Sequence, residues 1–324
     1  MARLADSTRQ SRSGADEIVP YTARPMSELD FSHPAPRSGL LTLRKPERAP
    51  EPSATEQQHE EQYRLHRRFD RMGRLVGDAG MTKLLASHVM VIGLGGVGSW
   101  AAESLARSGV GRLTLVDFDL VCVTNTNRQL HAMKGTTGKP KSAVLAERLR
   151  QIHPSATIED VREFYEEATS ESLLARKPDL IIDAIDNLSA KAHLVARARE
   201  LGIPLVVSGG ASGRMDPTQI RIGELGRVEG DPFLKMLRKV LRRKHAFPSD
   251  KDWGIAAVHS LEAPSDPLEL AYDHGDGFRC VCPQGDNGKH SCDHRNLIYG
   301  TAGFVTGSFG FACASVAVKT LLGG

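Results

Sequence analysis

The fold of this 324-residue chain is decided by Val89-Met-Val-Ile-Gly-Leu-Gly-Gly-Val-Gly-Ser99. Its first four apolar residues are typical of a buried β-strand, and a helical pattern begins at Trp100. The glycines between them, Gly93, Gly95, Gly96 and Gly98, place bare backbone N–H groups at the positive end of a helix dipole. This order of strand, glycine turn and helix predicts a phosphate-binding turn, and therefore a nucleotide site.

Strand-like and helical patterns alternate beyond this turn. Strands are predicted at 88–92, 112–117, 156–161, 179–184 and 203–208, and helices at 62–86, 99–109, 139–152, 166–176 and 188–201. Alternation of this kind predicts an α/β, Rossmann-like fold with a mainly parallel sheet and helices on both faces. Thr218–Leu225 alternates like a strand with one solvated face, which we interpret as an antiparallel extension of the sheet.

Composition divides the chain into three parts. Residues 1–61 are rich in Arg, Ser, Pro and Glu and predict a disordered extension, 62–225 form the nucleotide-binding domain, and 226–324 form a C-terminal region. A net charge of +3 excludes a basic nucleic-acid coat. Five cysteines without an export signal indicate a reducing compartment, so we expect a cytoplasmic protein. The apolar window 303–318 is expected to be a buried helix rather than a membrane span, so no stable membrane insertion is expected.

Acidic and polar residues follow the second strand-like run. Asp117 ends that run, and Asp119 follows two residues later. The first acid fits ribose hydroxyls in an NAD or an ATP site, whereas NAD needs no second acid. The next loop carries Asn125, Arg128 and Gln129, whose amide and guanidinium groups suit a triphosphate. Taken alone, this loop is typical of either a capping turn or a phosphate clamp.

Residues at two further positions distinguish an ATP site from an NAD site. Lys141 opens a helix in Gly138-Lys-Pro-Lys141, where it is either an exposed lysine or a phosphate ligand one turn inside. Asp186 and Asn187 follow the fourth strand-like run, at the edge of the sheet where ligands bind. A carboxylate there would repel phosphates unless it held a cation such as Mg²⁺. In combination with the preceding loop, these residues favour ATP with Mg²⁺.

The same motifs occur in this order in a known superfamily. They are Gly93-Leu-Gly-Gly-Val-Gly98, Asp117-Phe-Asp119, Asn125-x-x-Arg128-Gln129, Gly138-Lys-Pro-Lys141 and Asp183-x-x-Asp186-Asn187. Over residues 62–225 the chain resembles the ThiF/MoeB and ubiquitin-activating adenylating enzymes. The resemblance implies an adenylation domain in which the glycines hold the ATP phosphates, Asp117 binds the ribose and Asp186 holds Mg²⁺. It also implies that Asn125, Arg128 and Lys141 stabilise the α-phosphate while a substrate carboxylate attacks it. Asp119, Gln129 and Asn187 complete the candidate cofactor-binding set.

Three segments narrow the resemblance. Residues 98–106, 121–129 and 209–219 are most similar to the tRNA threonylcarbamoyladenosine dehydratase family. That family cyclises N6-threonylcarbamoyladenosine at position 37, in the anticodon loop of tRNA, in an ATP-dependent step. Superfamily members also take an arginine from the N-terminal helix of a partner subunit. Arg71 matches that position best and Arg74 is the second candidate, so the resemblance implies a homodimer.

One position departs from that family. The dehydratases carry a cysteine in the strand that resembles Trp253–Glu262, and Ala257 occupies the matching position here. Cyclisation would then proceed directly from the adenylate, or through another thiol. Candidates lie in Arg279–His294, and they are Cys280, Cys282 and Cys292 with His290 and His294. Their spacing leaves a zinc site, a functional or redox thiol and ordinary loop cysteines as open interpretations.

A basic helix is predicted at 231–245. Its cations share one face, and they are Lys235, Arg238, Lys239, Arg242 and Arg243. Either the face is simply solvated or it binds tRNA phosphates. An alternative function is activation of the C-terminal glycine of a ubiquitin-like sulfur carrier, with sulfur-transfer proteins as partners. A non-catalytic nucleotide-binding protein is a third alternative, which the Asn125, Arg128, Lys141 and Asp186 set disfavours.

Overall fold

The computed structural model describes residues 66–270 and 299–323, together with Ser53, Thr55, Glu60 and Tyr63. Seven β-strands are present in these ranges: β1 His88–Ile92, β2 Arg112–Val116, β3 Thr157–Val161, β4 Leu180–Asp183, β5 Leu205–Ser208, β6 Ile220–Glu224 and β7 Ala256–Ser260. The α-helices are α1 Asp70–Ala86, α2 Gly98–Arg107, α3 Lys141–Ile152, α4 Glu167–Leu174, α5 Leu188–Glu200, α6 Pro232–Lys244 and α7 Gly303–Leu322. The predicted extension 1–61 falls almost wholly outside the described residues.

The strands form one sheet in the order β3-β2-β1-β4-β5-β7-β6. Every neighbouring pair is parallel except β6 and β7, which are antiparallel. The predicted α/β fold with its antiparallel extension is therefore confirmed. The chain runs outward from β1 to β3 and then returns to place β4 on the other side of β1. Ligands bind at the carboxyl ends of strands where the order reverses in this way, so the crevice lies between β1 and β4.

Helices cover both faces of the sheet because alternate residues of the central strand point to opposite sides. Val89 and Val91 belong to one apolar core, with side chains from α1, α2, α3 and α7. Met90 and Ile92 belong to the other, with side chains from α4, α5 and α6. Burial on both faces explains why β1 reads as a continuous apolar run.

The first helix differs from the predicted continuous helix 62–86. Residues 67–69 form a turn, and α1 then begins at Asp70. Inside α1, Gly77 has φ 69° and ψ 178°, so the helical geometry is broken there. Leu75, an apolar residue within the predicted helix, is 82% exposed. An isolated glycine in a helical pattern does not show from sequence whether the helix continues through it.

The apolar segment near the C-terminus forms α7 and packs into the core. By length and composition α7 could cross a membrane, yet half of its apolar window is buried inside the protein. Gly310 lies so close to α2 that an added Cβ would be 2.6 Å from the Val97 carbonyl oxygen. Small residues thus let the two helices approach closely, as expected for a core helix.

Candidate nucleotide site

The glycine turn uses its four glycines for different purposes. A Cβ on Gly98 would lie 1.8 Å from the Gly93 carbonyl oxygen, and one on Gly93, whose φ is +88°, would lie 2.7 Å from the Ala184 carbonyl oxygen. A Cβ on Gly96 would touch Thr306 of α7 at 3.0 Å. A Cβ on Gly95 would meet no atom of the described residues within 4 Å. Gly93 and Gly98 are therefore required by packing, whereas Gly95 borders open space that a ligand can enter.

Asp117 ties the end of β2 to this turn. Its Oδ2 accepts a 2.6 Å hydrogen bond from the Leu94 backbone N–H, and its Oδ1 accepts one of 2.8 Å from the Asp119 N–H. The residue is only 8% exposed. Asp117 thus orders the glycine turn, and its predicted contact with ribose stays a prediction.

Lys141 lies at the start of α3 and points inward. Its Nζ donates to Asp119 Oδ2 at 2.7 Å, and its side chain is 7% exposed. Burial alone would lower the pKa of Lys141, but the carboxylates of Asp117, Asp119 and Asp186 outweigh this effect and raise it. The interpretation as an exposed lysine is therefore wrong. A buried, permanently charged ammonium at the ligand edge of the sheet is suited to phosphate oxygens.

The turn after β4 carries Asp186 and Asn187. Asp186 is exposed and lies near enough to Lys141 to raise the pKa of that lysine. Asn187 Oδ1 accepts a 3.0 Å hydrogen bond from Ala190 N–H, so this amide caps the N-terminus of α5. The geometry gives Asn187 a structural role, and leaves its predicted cofactor contact untested.

The polar loop after β2 contains a capping amide, a guanidinium and a buried glutamine. Asn125 is buried, and its Oδ1 accepts a hydrogen bond from Cys122 N–H at 3.0 Å. Arg128 is half-buried, with Nη1 donating to Thr124 O at 2.9 Å and to Asn127 Oδ1 at 3.0 Å. Gln129 is buried, and its Oε1 has no partner among the described residues. Both interpretations of the loop are thus compatible with its geometry: it caps a turn and still presents a guanidinium.

The two candidate arginines of α1 are turned to solvent. The Arg71 side chain is 91% exposed, 3.6 Å from Asp70, and Arg74 donates to Asp70 at 3.2 Å. Within one chain, neither joins the residues around Lys141 through any contact in the described ranges. Their exposure agrees with donation to another subunit, which remains a prediction.

Two buried polar residues were missed by the sequence analysis. Lys191 of α5 pairs with Asp183 at 2.8 Å, and both side chains are 0% exposed. His131 is also fully buried, and burial with nearby Lys141 lowers its pKa to about 3. A signal for Lys191 existed, because Ala190, Ala192 and Leu194 around it mark an apolar helix segment.

The C-terminal region places the remaining predicted residues. Ala257 is 0% exposed and packs in the core beneath α6, so its methyl group supplies no nucleophile to the ligand edge. Four of the five predicted cations of α6 are exposed: Lys235, Lys239, Arg242 and Arg243. Arg238 differs, because it is half-buried and donates to Leu225 O.

The predicted zinc or thiol residues cannot be placed. Cys280, Cys282 and Cys292, with His290 and His294, lie outside the described residues. Within the described ranges, no group of three or more His, Cys, Asp or Glu side chains could hold a metal ion.

Comparison with known proteins agrees with this geometry. A family model described as "ThiF family" matches residues 69–324, which include the glycine turn, Lys141 and Asp186. The chain belongs to the ThiF family. The matched range includes all seven strands and α7.

One dehydratase is similar over most of its length, both in sequence and in structure. The tRNA threonylcarbamoyladenosine dehydratase of Escherichia coli (strain K12) is 39% identical over 257 residues, covering 79% of this chain and 93% of that protein. A crystal structure of the E. coli tRNA N6-threonylcarbamoyladenosine dehydratase in complex with ATP is similar at 36% identity and TM-score 0.68, covering 80% of this chain and 95% of that one.

A relative with a different function matches a shorter segment. The molybdopterin-synthase adenylyltransferase of E. coli (strain K12) is 37% identical over 161 residues, which cover 50% of this chain and 62% of that protein. The similarity to the dehydratase thus spans nearly all of that enzyme, whereas the similarity to the adenylyltransferase leaves a third of it unmatched.

Proposed function

We propose that this ThiF-family protein is an ATP-dependent tRNA threonylcarbamoyladenosine dehydratase. The observation that carries the proposal is the 39% identity over 93% of the E. coli dehydratase, in a chain whose crevice joins an open glycine turn to a buried lysine. The substrate would be N6-threonylcarbamoyladenosine at position 37 of tRNA. Its carboxylate would be adenylated, and the product would be cyclic.

The crevice supplies electrostatic stabilisation for the adenylation step. A substrate carboxylate oxygen bonds to the α-phosphorus of ATP, and pyrophosphate leaves with its electron pair. Negative charge on the α-phosphate oxygens is then stabilised by the Lys141 ammonium, the Arg128 guanidinium and the Asn125 amide. Because Lys141 is already buried and charged, little reorganisation is needed when the transition state forms.

Mg²⁺ fits the same crevice as a companion of the triphosphate. This cation keeps several waters and needs only one or two protein carboxylates besides the phosphates. Asp186 is an exposed carboxylate at the sheet edge and would hold it. The bound cation would neutralise phosphate charge.

Ring closure would follow from the adenylate. A carbamoyl atom of the same nucleoside bonds to the activated carbonyl carbon and loses a proton, and AMP leaves with the former carboxylate oxygen. The net change in the nucleoside is the loss of one water. Since Ala257 carries no thiol, we propose that closure proceeds without a covalent intermediate at this residue.

We also propose that the protein is a cytoplasmic homodimer. Leu75 of α1 is 82% exposed, and α7 exposes Phe304 at 55% and Phe311 at 50%. Large apolar side chains on neighbouring helices are typical of a subunit interface. Burying this surface against a second copy would allow Arg71 of one subunit to enter the crevice of the other.

The exposed cations of α6 would bind the anticodon-loop phosphates. Lys235, Lys239, Arg242 and Arg243 lie on one helix and have no acidic partner within the described residues. Neutralising several phosphates gives a binding constant that falls steeply with salt concentration. Changing Arg242 and Arg243 to Gln should weaken tRNA binding and reduce the salt slope by about two.

The decisive test is nucleoside mass spectrometry. Purified protein is incubated with ATP, Mg²⁺ and tRNA that carries the linear modification, and the tRNA is then digested. We expect the linear nucleoside to be replaced by a product lighter by one water. The matched control is Asp186→Asn, which should leave the linear form in place. Persistence of the linear form with wild-type protein that binds ATP would overturn the proposal.

The sulfur-carrier alternative is tested in the same preparation. A carrier-activating enzyme exchanges pyrophosphate into ATP only when a carrier ending in Gly-Gly is present. If exchange required such a carrier and ignored modified tRNA, the alternative function would replace the one proposed here.

A further inference from the structure

A cavity of about 430 Å³ lies beside the nucleotide crevice, on the face of the sheet covered by α4, α5 and α6. Its lining includes Phe164, Glu166, Glu167, Asn187, His193 and Lys244. This volume lies within the range of about 300–1,000 Å³ usual for small-molecule sites. The glycine turn, Asp117 and Lys141 do not line it, whereas Asn187 of the candidate cofactor-binding set does, so the cavity adjoins the proposed ATP site.

One ring contact and one sequence neighbour connect the cavity to the crevice. Phe164 in its wall packs edge-on against Phe118, with ring centroids 4.8 Å apart, and Phe118 directly follows Asp117. Asn187 in another wall directly follows Asp186. The cavity thus starts where the nucleotide crevice ends.

The opposite wall belongs to the basic helix. Val240 and Lys244 of α6 line the cavity, and Lys244 is exposed in the last turn beside Arg243. The cavity therefore lies between the crevice, where chemistry is proposed, and the cations proposed to bind RNA phosphates.

The lining favours a base over a phosphate. Glu166 and Glu167 place two carboxylates in the wall against the single ammonium of Lys244, which disfavours an anion inside. Phe164, His193 and His245 supply flat rings on which a base can stack. Burial lowers the pKa of His193, so its imidazole is neutral at neutral pH and adds no charge. The Glu167 carboxylate can accept hydrogen bonds from base amino groups, whereas the Glu166 carboxylate already accepts one from the backbone at the N-terminus of α4.

We propose that this cavity binds the unstacked base of a nucleotide next to the modified adenosine, at position 36 or 38 of the tRNA. Proteins that recognise single-stranded RNA loops by sequence bind bases that have left the stack. This inference rests on the proposed function, and it adds a second base-binding subsite that would fix the substrate carboxylate over the crevice. Lys244 at the rim would contact the phosphate of the same nucleotide.

The test combines a filled cavity with RNA that lacks a base. Ser189 is exposed at the start of α5, so Ser189→Trp should fill the cavity without disturbing the core. Ser172→Trp is the matched control, since Ser172 is exposed on α4 outside the cavity. Each protein is assayed with modified anticodon stem-loop RNA, either intact or abasic at position 36 or 38.

We expect Ser189→Trp to raise the KM for intact RNA about tenfold, within the cost of losing one stacked base, while the KM for ATP changes less than about twofold. With wild-type protein, one of the two abasic RNAs should have a KM that is raised by a similar factor. With Ser189→Trp, the KM for that abasic RNA should rise no further. Ser172→Trp should behave as wild type. Val240→Phe fills the cavity from the opposite wall and should repeat the result if Ser189→Trp melts at a lower temperature.

Three results would overturn the inference. If Ser189→Trp and the loss of either base raised the KM for RNA by factors that multiply when the two changes are combined, the base would bind elsewhere. A raised KM for ATP alone would assign the cavity to the ATP base. Unchanged RNA kinetics in both filled variants would leave the cavity without a role in binding. If wild-type protein turned over no tRNA at all, the proposed function itself would fail, which is a separate outcome.

Discussion

Replacing Lys191 should destabilise the fold more than replacing any exposed lysine. Lys191 and Asp183 are both 0% exposed and 2.8 Å apart. Lys191 also donates to the Asp183 backbone oxygen at 3.2 Å. Lys191→Met keeps the length of the side chain and removes the charge. The buried Asp183 carboxylate then keeps one hydrogen bond, from the Ile185 N–H to Oδ1, and its Oδ2 has no hydrogen bond within the described ranges.

The expected cost follows from this geometry. Breaking a buried ion pair by removing one partner costs about 3–5 kcal/mol. For a domain of this size, each kcal/mol lowers the Tm by about 2–4 °C, so Lys191→Met should melt roughly 6–20 °C below wild type. Lys134→Met, at an exposed position, should change the free energy of unfolding by no more than about 0.5 kcal/mol.

The pH dependence of the loss adds a second readout. Burial raises the pKa of Asp183, and Lys191 opposes that shift. Without Lys191 the folded pKa rises further above the unfolded value of about 3.9. Below the unfolded pKa the carboxyl is neutral in both states, so the variant loses least there. The loss relative to wild type should grow as pH rises from the folded pKa of Asp183 in the wild type to its higher folded pKa in the variant.

Urea unfolding and thermal melts monitored by circular dichroism measure these quantities. The double variant Asp183→Leu/Lys191→Met should recover most of the lost stability, because a buried pair replaced by apolar residues is often neutral or stabilising. The reasoning is refuted if Lys191→Met costs less than about 1 kcal/mol, or if the double variant is no more stable than the single one.

Three further predictions concern the crevice and its supports. Gly95→Ala should keep the Tm and raise the KM for ATP, whereas Gly98→Ala should lower the free energy of unfolding by at least about 1–3 kcal/mol through overpacking. Thermal melts and ATP titration distinguish the two effects, and equal melting temperatures of the two variants would contradict this prediction. Lys141→Met should lower ATP–pyrophosphate exchange by about 10²–10³, and an unchanged rate would remove this lysine from the reaction. Partial burial would raise the pKa of Glu103, but hydrogen bonds from Arg148 and Arg107 lower it overall. Glu103 therefore stabilises the fold above about pH 4.3, and Glu103→Gln should flatten the acid side of the stability curve.

The sheet could be predicted from sequence because its strands are buried on both faces. Each parallel strand then appears as a short apolar run between glycine or polar segments, and the five predicted runs correspond to β1 to β5. The edge strand β6 was predicted from alternation alone. Its partner β7 was the least distinct, because a loop-rich stretch of the sequence surrounds Ala256–Ser260.

The roles of individual residues depended on contacts between distant segments. Gly93, Gly95 and Gly98 have the same side chain and one shared motif, yet only Gly95 borders open space, and this depends on where Ala184 and the turn backbone lie. The burial of Lys141 depends on Asp119, which is 22 residues away. No local pattern contains either fact.

Two buried lysine–aspartate pairs support the crevice, and their difference in exposure divides their roles. Lys191 and Asp183 are wholly enclosed at the end of β4, so neither can touch a ligand, and the pair can only hold the turn that carries Asp186. The Lys141 side chain is 7% exposed and that of its partner Asp119 is 29% exposed, so this pair opens toward solvent at the end of β2. Buried ion pairs add little net stability because desolvation offsets their attraction. A lysine kept charged and fixed before phosphate arrives does, however, lower the reorganisation needed to stabilise the transition state. An entering phosphate must share Lys141 with Asp119, and that competition would weaken ground-state binding of ATP while leaving the ammonium in place for the charge that develops during attack.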